Sequence, residues 1–109
     1  MIKIDFGFGC EFDKDGHGIS RDESFAALRK IRSEAARIFG SYTLQQTFGG
    51  WTNAQGGLVQ EDGYTLFTVQ PETRETLDSD IERLADFVKI ILNQEAVAVT
   101  TSKVNFKLL

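Results

Sequence analysis

The first twelve residues alternate between apolar and polar side chains. Successive side chains of a strand point to opposite faces, so the pattern predicts a strand over 2–12 with one face on the core. The apolar residues of this alternation are Ile2, Ile4, Phe6, Phe8, Cys10 and Phe12. The other face carries Lys3, Asp5, Gly7, Gly9 and Glu11.

An amphipathic helix is predicted next. Ser20 and Glu23 have the spacing of a capping box, in which each side chain meets a free backbone N–H at the start of a helix. Gly40 is the expected end, because glycine readily adopts the left-handed conformation that terminates helices. The apolar stripe that should face the core is Phe25, Leu28, Ile31, Ala35, Ile38 and Phe39.

The second half repeats this order in weaker form. Strands are predicted over 42–51, with Tyr42, Leu44 and Phe48 on one face, and over 58–69, with a bulge or a second bend at 61–63. A second capping box at Ser79 and Glu82 should open a helix that ends near Asn93. Its predicted buried stripe is Ile81, Leu84, Ala85, Val88, Ile91 and Leu92. A last strand begins at 96, and its alternation changes phase at 102–103, so that Val104, Phe106 and Leu108 fall on one side.

Two helices with one apolar stripe each can both be buried on a single face of the sheet. Right-handed crossovers then favour an α+β, ferredoxin-like βαββαβ fold, with an antiparallel sheet and both helices packed on one face. The other face of the sheet is left open. It would carry the polar positions of the first strand together with Thr43, Gln45 and Thr47.

Length and composition narrow the class of protein. At 109 residues, 41% hydrophobic and 26% charged, the chain predicts one soluble domain over 1–109. A formal net charge of -4 opposes binding to a phosphate backbone, so no nucleic acid partner is expected. No apolar run approaches the about 20 residues of a membrane span, and the first residues do not resemble a signal peptide. We therefore expect no membrane contact and a cytoplasmic location, in the host for a phage-encoded chain.

Acidic residues cluster between Asp13 and Glu23. A calcium-binding EF-hand loop needs oxygen ligands at positions 1, 3 and 5 and glutamate at position 12. Counted from Asp13, position 5 is His17 and Glu23 falls at position 11, one residue short. We therefore expect a turn between strand and helix and no metal site, with Asp13, Asp15 and Glu23 as the weak candidate ligands.

Cys10 and His17 are the only residues of their types. Cys10 is in phase with the apolar side of its strand, so we expect a buried, unreactive thiol. A single histidine encodes neither a catalytic triad nor a histidine-rich metal site. The sequence therefore predicts no catalytic residue and no cofactor. Trp51 follows two glycines and is expected to close the end of the core, with stacking on a ligand as the alternative.

Short motifs also suggest a family. They are Phe6-Gly7-Phe8-Gly9, Gly49-Gly50-Trp51, Glu61 and Asn93-Gln94-Glu95-Ala96-Val97. On these the chain resembles the uncharacterised domain of unknown function 3574 over nearly its whole length. The resemblance implies the fold above in a small phage or bacterial protein and supplies no catalytic residues. The chain departs from the family in its acidic insertion at 13–17 and in lacking a leader.

Two functional hypotheses follow. The first is a non-enzymatic binding module that forms a homodimer through the open face or an edge strand and binds a protein, a host factor if the chain is phage-encoded. Its partner face would be Lys3, Asp5, Gly7, Gly9, Gln45, Thr47 and Trp51. The alternative is a dimeric α/β barrel enzyme or a small-molecule or nucleotide binder. Its pocket would lie on the same face and be lined by Asp5, Gln45, Thr47 and Trp51.

Overall fold

The computed structural model describes the whole chain, residues 1–109. Its helices and strands follow the predicted order. They are β1 (Ile2–Gly9), α1 (Arg21–Phe39), β2 (Thr43–Thr52), β3 (Leu58–Gln70), α2 (Leu77–Ile91) and β4 (Ala98–Lys103).

The four strands form one antiparallel sheet in the order β2-β3-β1-β4. Both helices pack on the same face, so the predicted α+β, ferredoxin-like fold is confirmed. Ile4, Phe6 and Leu66 of the central strands are fully buried beneath the helices. Each such side chain contributes about 2 kcal/mol through the area it removes from water. From the helices, Ile31, Ala35, Leu84 and Val88 complete the fully buried centre of the core.

The caps of α1 are confirmed, whereas the predicted start of α2 is wrong. Ser20 Oγ accepts a hydrogen bond from Glu23 N at 3.1 Å, and Gly40 ends α1 with a left-handed φ of 81°. The second helix begins at Leu77, and its N-cap is Thr76 instead of the predicted Ser79. The Ser79 hydroxyl instead donates to the carbonyl of Thr76 at 2.9 Å, inside the first turn.

Three features of the strands also differ from prediction. β1 ends at Gly9, and Phe12 forms only an isolated bridge with Gly18. Residues 61–63 form no bulge, because β2 and β3 stay in continuous register there. At Gly63 the backbone of Phe8 lies so near that a side chain would collide with its carbonyl, which explains the glycine. β4 ends at Lys103, and the segment that follows is not a strand.

The β2–β3 hairpin extends beyond the end of β1. The last pair of β1 with β3 is Gly9 with Gly63, whereas pairs between β2 and β3 continue from Phe48 with Asp62 to Thr52 with Leu58. We call residues 48–62 the arm. No helix covers the arm, so Phe48 is 79% exposed although it shares a face with Leu44, contrary to the core position predicted. Phe25, also predicted in the core, is about half exposed, because Ser24, Ala27 and Leu28 form the buried face at the start of α1.

A polar cluster joins the end of β3 to both helices. Arg74 donates to Asp80 Oδ2 at 2.9 Å, to Gln70 Oε1 at 2.7 Å and to the carbonyl of Ile38 at 2.7 Å. The Thr76 hydroxyl donates to the same Asp80 oxygen at 2.7 Å. The hydrogen bond from Thr76 lowers the pKa of Asp80 most, loss of hydration opposes it, and Arg74 adds to the lowering. The Arg74 guanidinium therefore links the end of β3, the end of α1 and the first turn of α2.

We expect Arg74→Ala to lower the free energy of unfolding by about 2 kcal/mol, because Asp80 and the Ile38 carbonyl lose a charged donor. Since the pKa of Asp80 is lowered in the folded state, its contribution is complete above the unfolded pKa of about 3.9 and is lost as the pH falls through the folded value. Asp80→Asn should therefore flatten the stability profile below about pH 4 in denaturant titrations. Asp86→Asn, at an exposed ion pair on α2, is the control, and an unchanged profile in Asp80→Asn would contradict the assignment.

Candidate functional site

The structure places the predicted face residues together on the open side of the sheet. Asp5 and Gly7 of β1 pair with Phe67 and Thr65 of β3, and these pair in turn with Thr43 and Gln45 of β2. Lys3, Gly9, Thr47 and Trp51 share the same face by strand parity. Their role in binding stays a prediction.

Trp51 does not close the core. It lies on the arm opposite Val59 and is 55% exposed. Four strand positions, or about 13 Å, separate it from Thr47, so it does not line the same pocket as Asp5 and Gln45. The expectation of core closure is wrong because Trp51 lies on the open face of the sheet, whereas the helices and the core lie on the other face.

The open face is shallow. Lys3 Nζ lies 3.4 Å from Asp5 Oδ1 and 4.4 Å from the centre of the Phe67 ring, which fills one part of it. Beside these, a depression of about 270 Å³ is lined by glycines and threonines, and the side chain of Glu61 lies over Gly9. This depression is smaller than the about 300 Å³ at which ligand pockets usually begin.

A larger cleft lies on the helix side, where the chain leaves β1 and enters α1. Its volume is about 650 Å³, within the range of small-molecule sites. We call this site the terminal cleft. The residues that line it include Cys10, Glu11, Phe12, Ile19, Arg21, Ser24, Phe25, Gln46, Asp62 and Tyr64.

Aromatic rings and carboxylates are the chemically distinctive groups of the terminal cleft. Phe12 and Phe25 are each about half exposed, and the Arg21 guanidinium lies 5.2 Å from the centre of the Phe25 ring. Glu11 Oε1 accepts a hydrogen bond from the backbone N–H of Asp62 at 3.0 Å. The Glu11 and Asp62 carboxylates form no salt bridge, so the cleft offers negative charge beside two planar rings.

Cys10 is half-buried at the margin of the core and lines the terminal cleft. Loss of hydration is the largest cause that raises the pKa of its thiol above the ordinary value. The nearby carboxylates of Glu11, Glu61 and Asp62 add to it, and a hydrogen bond with Ser24 opposes it. At neutral pH the residue is therefore a thiol, which is a poor nucleophile.

The acidic turn brings together a different set from the one predicted. Ligand atoms of Asp13, Asp15 and His17 lie within 4.8 Å of one another, whereas Glu23 is not part of this group. Asp13 Oδ1 accepts hydrogen bonds from Asp15 N and His17 N, each at 2.9 Å. Loss of hydration raises the pKa of Asp13, but these hydrogen bonds and one from Asn93 outweigh it and lower the pKa overall. Asp13 thus has a structural role in the turn.

We expect calcium to leave the stability unchanged. A ligand at one hundred times its dissociation constant that binds only the folded state adds about 2.7 kcal/mol, which raises the melting temperature visibly. Thermal melts with a chelator and with millimolar calcium should coincide. A large rise that the double variant Asp13→Asn/Asp15→Asn abolishes would show that the turn is a metal loop.

Comparisons with known proteins support the fold. A phage SAM lyase solved in complex with S-methyl-5′-thioadenosine is similar with a TM-score of 0.67 and 16% identity, over 94% of this chain and 80% of that one. CutA of Archaeoglobus fulgidus, described as a periplasmic divalent cation tolerance protein, has a TM-score of 0.57 and 7% identity, over 99% and 88%. CutA1 of Pyrococcus horikoshii has a TM-score of 0.54 and 12% identity, over 99% and 87%.

No protein-family model matches the chain, and no curated sequence matches it significantly. The resemblance to the domain of unknown function 3574 therefore stays a prediction. Neither helix has the length and apolar character needed to cross a membrane. The expected cytoplasmic location also stays a prediction.

Proposed function

We propose that this chain binds an adenosyl sulfonium compound such as S-adenosylmethionine in the terminal cleft. The observation that carries the proposal is the pairing of exposed aromatic rings with two carboxylates that no basic side chain neutralises. A purine ring stacks on aromatic faces, and a sulfonium is attracted to carboxylates and to rings. The phage SAM lyase of similar fold, solved with S-methyl-5′-thioadenosine, supports this choice of ligand.

Each part of this ligand has a counterpart in the cleft. Phe12 and Phe25 would hold the adenine ring, while Glu11 and Asp62 would face the sulfonium and the α-ammonium group. Arg21 is the one basic side chain of the lining and would pair with the α-carboxylate. This assignment uses both signs of charge that the ligand carries.

The corresponding reaction is cleavage of the ligand at sulfur. The α-carboxylate of S-adenosylmethionine can attack the γ-carbon while the C–S bond breaks and its electron pair stays on sulfur. This step yields homoserine lactone and S-methyl-5′-thioadenosine and needs neither an external base nor a cofactor. The raised pKa of Cys10 is compatible with such a mechanism, because the mechanism uses no thiolate.

Calorimetry with S-adenosylmethionine and with S-methyl-5′-thioadenosine tests the site. Glu11→Gln keeps the hydrogen-bond acceptor for Asp62 N and removes the charge. It should weaken the binding of S-adenosylmethionine by about tenfold, or about 1.4 kcal/mol. The affinity for S-methyl-5′-thioadenosine, an uncharged thioether, should not change. Phe25→Leu should lower the affinity for both compounds. Asp5→Asn on the open face is the control and should change neither affinity.

Chromatography of the same mixtures tests turnover through the appearance of S-methyl-5′-thioadenosine. If millimolar concentrations of both compounds fail to bind, the proposal is wrong. Binding without product would retain the binding function and reject the cleavage.

A second candidate function is self-association, and the arm favours it. Phe48, Trp51 and Leu58 are each more than half exposed on a two-stranded hairpin, an element that is marginally stable alone in water. By strand parity Phe48 and Leu58 lie on the helix-side face of the arm and Trp51 on its open face. Over both faces the three side chains expose roughly 400 Å², about half of the area that each partner buries in a stable interface. We therefore propose that the chain forms a homo-oligomer through the arm. The predicted open-face dimer and a host protein partner remain alternatives.

Light scattering after size-exclusion chromatography should give a mass above that of one chain at micromolar concentration. The association should weaken on dilution. A single-chain mass throughout this range would contradict self-association.

A further inference from the structure

The segment Val104–Leu109 has the alternation of a strand but no strand partner. Phe106 and Leu108 are 48% and 88% exposed, in phase with Val104. One backbone hydrogen bond joins the segment to the sheet, at its start, where Val104 N donates to the carbonyl of Met1 at 3.1 Å. Within one chain, the alternating apolar side chains of this segment therefore have neither a paired strand nor a surface that buries them.

The arm offers an edge of the kind that such a segment pairs with. In the part of β3 that belongs to the arm, residues 58–62, no β1 strand pairs with β3. On this side, the Asp62 N–H donates a hydrogen bond to Glu11 Oε1 at 3.0 Å. From Leu58 to Glu61 no strand lies on this side. Unpaired edges of this kind add strands from other chains, with backbone hydrogen bonds as the main attraction.

A groove lies on the same part of the arm, with two apolar side chains, Phe48 and Leu58, beside the polar Gln60 and Asp62. Phe48 and Leu58 line it on either side of Gly50, and its volume is about 610 Å³. The Leu58 side chain reaches over Gly50, where an added side chain would meet it at 3.4 Å. Gly50 therefore lets the Leu58 side chain lie across β2 as one wall of the groove.

The segment cannot reach the arm of its own chain. Residue 103 pairs with Ile2 at the start of β1, whereas the arm begins beyond Gly9 at its other end. These ends lie on the order of 24 Å apart by strand rise, and six extended residues span at most about 21 Å. A segment that occupies the arm must therefore come from a second copy.

We propose that Val104–Leu109 of one copy adds as a strand to the β3 edge of the arm of a second copy, with Phe106 and Leu108 in the groove. Charge is complementary, since Lys107 is the charged side chain of the segment and Glu61 and Asp62 lie at the arm edge. This inference rests on the proposed self-association and names the surfaces that form it.

Complementation of two variants tests the pairing. Phe106→Asp should disable the segment and Leu58→Asp the arm, so each variant alone should have the mass of one chain at concentrations where the wild type associates. An equimolar mixture should form a dimer, because one intact segment and one intact arm remain. Ile90→Asp replaces an apolar residue of α2 that is 78% exposed and should keep the wild-type mass. Circular dichroism checks that every variant is folded.

The outcomes separate the two proposals. A wild type of single-chain mass would overturn self-association, and this inference with it. An associating wild type whose Phe106→Asp variant keeps the full mass, or variants that do not complement each other, would overturn only the pairing of segment and arm.

Discussion

The contact between Gly9 and Gly63 is the constraint on which both proposed sites depend. The backbone of Phe8 approaches Gly63 too closely for a side chain, and at this point β1 leaves the sheet while β3 continues for five more residues. The departing chain forms one wall of the terminal cleft. The strand that continues becomes the arm. A difference in length between two paired strands thus creates a concave site on the helix side and an exposed ribbon beside it.

The electrostatic character of this end follows from the same geometry. Glu11 lies on the departing chain, and Glu61 and Asp62 lie on the strand that it leaves, so the end of β1 brings their charges close to Cys10. Arg21 is the single basic residue of the cleft lining. These three carboxylates outnumber the nearby cations, and their mutual repulsion lowers the free energy of unfolding. A bound cation would recover this energy. This imbalance is the physical reason for preferring a positively charged ligand over an anionic nucleotide.

The sequence predicted correctly the features that depend on a few neighbouring residues. The predictions failed where the relative lengths of paired strands determine which side chains are buried. Ser20 and Gly40 mark the ends of α1 because capping depends on a few neighbouring residues. The face assignments of β1 also hold, because parity is a property of one strand. The exposure of Phe48 depends on where β1 stops, which no pattern within β2 reveals. For Trp51 the alternation did carry the signal, because this residue is in phase with the open-face positions Thr43, Gln45 and Thr47. The cleft was missed because the alternation of apolar and polar residues continues past Gly9 to Phe12 and gives no sign that β1 ends.

The alternation after residue 103 is not explained by the fold of a single chain. In β1 and β3 the alternating residues are buried by the helices, whereas Phe106 and Leu108 face solvent. Apolar residues in phase at exposed positions have a cost in solubility, and a partner surface removes that cost. The groove of the arm offers the apolar side chains of Phe48 and Leu58, and Asp62 lines both the groove and the terminal cleft. Because the Asp62 amide is bonded to Glu11, a strand that ordered the arm would also fix one of the two carboxylates assigned to the ligand. Assembly and ligand binding are therefore joined at one residue in the proposed arrangement.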